Sequence, residues 1–142
     1  MGYQLRIDVP GAIYHVVNRG LARRTLFDND SERRLFLSFT AHAVRKGWIR
    51  VHAFSLMTNH FHLLVTSEGH LSTYMQWSMS QFVRRFNRRR RRDGSLFRGR
   101  FKARRVLGEV DFLNVVRYID SNPVVAGIVG SAAQYQFGSA WH

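Results

Sequence analysis

The chain has 142 residues, and its 45% hydrophobic content suits one domain, residues 1–142, with a single buried core, which excludes a second independent domain of ordinary size. Its 22 basic residues outnumber 9 acidic ones for a formal charge of +13, and all but Lys46 and Lys102 are arginine, so a polyanion, nucleic acid before membrane surface, is the expected partner. With no cysteine, the sequence excludes disulfides, Cys-ligated zinc, iron–sulfur clusters and thiol nucleophiles, and leaves His, carboxylate and amide side chains as the available metal ligands.

Residues 12–19 alternate between two faces, with Ile13, His15 and Val17 on one and Tyr14, Val16 and Asn18 on the other, bounded by Gly11 and Gly20; this predicts a first strand. Asp28, Asn29 and Asp30 offer cap oxygens to a helix whose apolar face carries Leu35, Phe36, Phe39, Ala43 and Val44 and which stops at Gly47. Residues 48–56 and 60–66 then predict a hairpin across Met57, Thr58 and Asn59. A second helix runs from Leu71 to Arg91 through Met75, Met79, Phe82, Val83 and Phe86, until Asp93 and Gly94 end it. Phe101 to Leu107 predicts a fourth strand. Val110 to Asn122 predicts a third helix, ended by Pro123 because the ring disfavours helical geometry in the residue before it. The order β-α-β-β-α-β-α predicts an α+β fold: a ferredoxin-like antiparallel sheet with helices on one face and the other face left for a site.

Asn59-His60-Phe61-His62 opens the third strand. Side chains two apart on a strand share a face, so His60 and His62 can lean toward one ion while Phe61, Leu63 and Val65 enter the core. Two imidazoles on an exposed strand face are the plainer reading, but a central position in the sheet favours a ligand pair. On the third helix Phe112, Val115, Val116 and Ile119 form an apolar stripe, while Asp111, Asn114, Tyr118 and Asn122 form a polar one. Tyr118 is therefore either a half-buried phenol with a satisfied hydroxyl or a functional one. One turn further, the Asn122 amide can complete a coordination shell with the two imidazoles. His15 and His52, also in strands, can line the same open face but read first as structural imidazoles; His42 falls in the first helix and His70 at the start of the second. Asp111 reads as a helix-dipole acid rather than a general base. Twelve basic positions crowd residues 84–105, including Arg88 to Arg92, and interleave with Phe86, Phe97 and Phe101. They predict a phosphate track with stacking platforms, although five consecutive arginines cannot all share one helix face.

Several segments together resemble the single-tyrosine HUH transposases, the IS200-like superfamily, and among them the REP-associated tyrosine transposases. They are Pro10-Gly11-Ala12-Ile13-Tyr14-His15-Val16, Arg19-Gly20, residues 52–64 from His52 through Asn59-His60-Phe61-His62, Phe97-Arg98-Gly99-Arg100-Phe101-Lys102-Ala103 and Arg117-Tyr118-Ile119-Asp120-Ser121-Asn122-Pro123 on to Gly127. The resemblance implies that the C-terminal helix carries the tyrosine on the sheet face opposite the other helices. It implies Tyr118 as nucleophile, and a divalent metal, Mg²⁺ or Mn²⁺, held by His60 and His62 with Asn122 as third ligand. Single-stranded or hairpin DNA from palindromic repeats is the implied substrate, and the charge pattern assigns its contacts to Arg84, Arg85, Arg88, Arg89, Arg98, Arg100, Lys102, Arg104 and Arg105. A 5′-phosphotyrosine intermediate is implied, in a monomer or a homodimer. The alternative is a non-catalytic single-stranded DNA- or RNA-binding module on the same sheet. Val125, where relatives often carry Arg, and residues 104–108, where they often carry an acidic turn, depart from the pattern. Recognition by the longer C-terminal tail of many relatives is not expected of a sequence ending at His142. No apolar run reaches the roughly 20 residues of a membrane span, and Met1 to Gly11 lacks the apolar core of a secretory signal. A soluble, cytoplasmic, nucleoid-associated protein with no membrane partner is expected.

Overall fold

The computed structural model describes residues 8–142, so most of the segment read for a secretory signal lies outside the described residues. Strand β1, Ile13–Arg19, buries alternate residues as its sequence pattern requires. It ends at Gly20, where a Cβ would sit 2.0 Å from the Arg24 carbonyl oxygen, so only glycine admits the turn that follows. Helix α1, Asp30–Arg45, starts from Asn29, whose Oδ1 accepts the Glu32 N–H at 2.9 Å, while Glu32 Oε1 accepts the Asp28 N–H at 3.2 Å. Strands β2, Ile49–Leu56, and β3, His60–Ser67, form the hairpin, with a bulge between Val51 and Ala53. Helix α2, Leu71–Arg90, ends on Arg91 in the left-handed region at φ 49°. Strand β4, Lys102–Val106, and helix α3, Gly108–Val125, complete the fold.

Pro123 does not end α3 as expected. The helix runs on to Val125 and closes with Gly127 at φ 75°, where Gly127 N–H donates to Val124 O and Ile128 N–H to Pro123 O. Pro123 removes only one ladder bond in the last turn, and this paired C-terminal cap satisfies the carbonyls beyond it.

The four strands form one antiparallel sheet in the order β2-β3-β1-β4, so β3 and β1 are central. Helices α1 and α2 cover one face. There Phe27, Phe36, Phe61 and Phe82 meet at ring separations of 4.8–6.1 Å, with Val16, Leu63, Val65 and Met75 around them. Arg90 clamps the two helices, its guanidinium 2.7 Å from the buried Glu32 carboxylate and also paired with Asp28. The opposite face carries α3 over a smaller core of Ala53, Leu64, Val106, Val115 and Ile119. Beyond α3, residues 135–139 run along the outer edge of β2: Leu56 N–H donates to Phe137 O, and Phe54 N–H to Ser139 Oγ. The exposed edge of the sheet is thereby covered.

Candidate active site

The α3 face of the sheet is polar where α3 does not fill it. Strand alternation puts His60 and His62 on this face and Phe61, Leu63 and Val65 on the other, as their spacing predicts. Their rings stand 5.1 Å apart and nearly perpendicular, at 89°. His62 is only 4% exposed, against 53% for Tyr118, yet their rings meet edge to face at 5.3 Å within one chain. Val115 and Ile119 anchor α3 in the small core, which turns Tyr118, three residues beyond Val115, back toward the sheet. Asn122 follows Tyr118 by one turn on the same stripe of α3, and its amide is close enough to the His60 ring to favour the protonated imidazole. The strand pair and the polar stripe of the helix are thus brought together.

His15 joins them. It stacks on His62 at 5.3 Å and 29°, with its Nε2 3.1 Å from His62 Nδ1, and its ring lies 6.0 Å from Tyr118. From the sequence this shared face is the lesser alternative to a structural imidazole, although β1 alternation allows it. What spacing alone does not give is the β1–β3 register, which opposes Val17 to His62 and leaves His15 diagonal to it. His52, by contrast, has the structural environment expected of it, with Nε2 2.6 Å from Thr66 Oγ1 and its ring against Phe112.

The electrostatics keep the imidazoles neutral. Burial pushes the His62 pKa from 6.5 down to about 3, helped by His60, His15 and Arg19. Burial also lowers His60, opposed by the nearby Asn122 amide, and lowers His15, with Arg104 adding to the effect. Asp111 accepts two hydrogen bonds from Arg104, at 2.9 and 3.0 Å, and the Leu107 N–H at 3.0 Å. The Arg104 bond and then the Leu107 amide hold its carboxyl down to about 2, so it serves as a helix-start acid and ion-pair partner, in keeping with its sequence reading.

Among the described residues no three His, Asp or Glu side chains form a metal-holding group. The donor set is instead two neutral imidazoles with an adjacent amide, side chains that could hold a divalent cation without cancelling its charge.

The basic residues fall into separate regions rather than one track. Arg98, Arg100 and Lys102 line a cleft of about 600 Å³ with Arg19, which pairs across the sheet with His60. Arg19 is a neighbour that the spacing of charges did not single out. Arg84 reaches the adjoining cleft, shared through Gly99 and Arg100. Arg85 and Arg89 line a groove between α1 and α2 with Arg34 and Ser31, on the helical side of the sheet, away from the histidines. Arg88 is exposed on α2, and Arg105 is exposed on β4 opposite Tyr14. Arg104 is occupied by Asp111, and within the arginine run Arg90 is occupied by Glu32 and Asp28. Among the described residues, no helix is long and apolar enough to cross a membrane.

The family model described as "Transposase IS200 like" matches residues 8–122. No curated protein sequence matches the chain. Among solved structures, one described as the REP-associated tyrosine transposase bound to a REP hairpin superposes with a TM-score of 0.81 at 18% identity, covering 98% of this chain and 82% of that one. At that identity the likeness bears on the fold, and it extends to the four-stranded antiparallel sheet with its three helices.

Proposed function

Since this chain belongs to the IS200-like transposase family, we propose that it is a metal-dependent nickase and strand-transferase acting on single-stranded DNA beside a hairpin, with Tyr118 as the nucleophile of its own chain's site. The observation that carries this reading is the meeting of His60, His62 and Tyr118 on one sheet face of one chain, with Asn122 one helical turn beyond the tyrosine.

A passive binding sheet needs neither an imidazole pair with one buried member nor a phenol against it. His60, His62 and Asn122 would hold the divalent ion. That ion, Mg²⁺ or Mn²⁺, would supply charge neutralisation at the scissile phosphate. Tyr118 Oη attacks phosphorus; the bond from phosphorus to the 3′ oxygen breaks, the 5′ phosphate stays on the tyrosine, and the freed 3′ oxygen takes up a proton. The phenolic proton leaves to water, to which this half-exposed side chain has access. Attack by a 3′ hydroxyl on the phosphotyrosine reverses the step and completes strand transfer. Arg19, Arg98, Arg100 and Lys102 bring the backbone phosphates to the cleft next to His60, and their cationic field concentrates DNA there.

The experiment is to incubate the protein with end-labelled single-stranded hairpin DNA and Mn²⁺ or Mg²⁺, then separate the products under denaturing conditions. A labelled protein–DNA adduct that EDTA prevents is expected. Tight DNA binding with no adduct in either metal would leave the single-stranded nucleic-acid-binding module as the function, and an adduct insensitive to EDTA would remove the metal.

A further inference from the structure

We propose that His15 and Asn59 are positioning residues that set the tautomers of the histidine pair, so that His60 and His62 each keep a bare Nε2 for a ligand. This rests on the proposed function, in which the pair holds a cation.

A neutral imidazole has one N–H and one lone pair, and the partner of the N–H decides which nitrogen is left to ligate. The Asn59 Oδ1 only accepts, so its 2.8 Å contact requires the proton of His60 on Nδ1 and leaves Nε2 bare. His62 has two possibilities, because its Nδ1 faces another imidazole nitrogen at 3.1 Å. If His15 Nε2–H donates, the proton of His62 is forced onto Nε2 and the pair offers only one bare nitrogen. If His62 Nδ1–H donates to a bare His15 Nε2, His15 carries its own proton on Nδ1 and both members of the pair keep Nε2 bare. Only this second arrangement gives two ligating nitrogens.

The surroundings hold His15 in place for it. Its ring is stacked on His62 at 5.3 Å and edged by Tyr118 at 6.0 Å, and its strand neighbour Arg104 is tied to Asp111. A partner that accepts the second ring proton of a ligating histidine is a recurrent device of metal sites, and its loss weakens metal binding by about 10- to 100-fold.

The test uses the full chain labelled with ¹⁵N-histidine, free of metal, and reads each ring's tautomer from two-bond ¹H–¹⁵N correlations, assigned by single substitutions. The wild type should show His62 and His60 protonated on Nδ1. His15→Phe keeps a stacked ring but removes the acceptor. It should convert His62 to a mixture rich in Nε2–H and lower Mn²⁺ affinity about 10- to 100-fold, with the melting temperature held. His15→Gln, whose amide oxygen reaches the position of Nε2, should restore much of both. A wild-type His62 protonated on Nε2 would overturn the proposal without any variant, as would His15→Phe with an unchanged His62 tautomer and Mn²⁺ affinity. Because the tautomer is read without metal, a wild type with His62 protonated on Nδ1 and no Mn²⁺ affinity supports the positioning role and removes the cation from the proposed function.

Discussion

The two faces of the sheet are built to different ends. Under α1 and α2 lies a large aromatic core whose rings lock edge to face, sealed at one end by the Arg90–Glu32 ion pair. Under α3 a much smaller core holds the helix by Val115 and Ile119, and the rest of the face is given to three imidazoles and a half-exposed phenol. Stability resides on the first face, and the second is free to keep polar groups that packing alone would not select. The division teaches that chemistry here sits where the fold can spare side chains from the core.

Substitutions should respect that division. Tyr118→Phe should abolish the covalent adduct while moving stability by less than about 0.5 kcal/mol, since the side chain is half exposed; denaturant melts beside the adduct assay check both. Phe36→Ala, across the sheet, should cost about 3–5 kcal/mol in the same melts, because its ring is fully buried against Phe27, Phe61 and Phe82. Equal destabilisation by the two would erase the contrast.

Acid should act through the α3 face. The unfolded chain binds a proton at His62 near pH 6.5 and the folded chain only near 3, so between these values the unfolded state holds more protons and stability is lost as pH falls. By about pH 5 the loss from His62 should be on the order of 2 kcal/mol, and His62→Asn should flatten this part of the pH–stability curve. A curve of the same slope in the variant would move the acid sensitivity elsewhere.

The smallest effect is expected from the basic clefts. Replacing Arg98 and Arg100 with Ser should reduce the salt dependence of single-strand binding by roughly 0.7 per lost phosphate contact, while Arg90→Ser should act mainly on stability because that guanidinium is already paired. An unchanged slope in the first variant would take the cleft out of the interface.

The architecture was legible because its signals are local. Alternation in β1, the Asn29 cap and the short 57–59 connection each report on their own segment, and strand period alone separated His60 and His62 from Phe61. The meeting of Tyr118 with the pair was reached through family resemblance, since helix spacing left the role of the phenol open. What stayed hidden depends on partners distant in sequence. Pro123 continues its helix because of a cap formed by residues 127 and 128. His15 enters the site through a cross-strand register, and the arginines divide among separate regions because Glu32 and Asp111 claim Arg90 and Arg104. Charge counting sees none of these pairings.

The central claim is that one chain contains the whole site and that Tyr118 is its nucleophile. It is tested most directly by mixing Tyr118→Phe protein with the His60→Ala, His62→Ala double variant and assaying adduct formation on labelled single-stranded hairpin DNA. The account predicts no adduct from either variant alone or from the mixture, beside a robust adduct from the wild type. An adduct formed by Tyr118→Phe alone, or restored in the mixture, would contradict it.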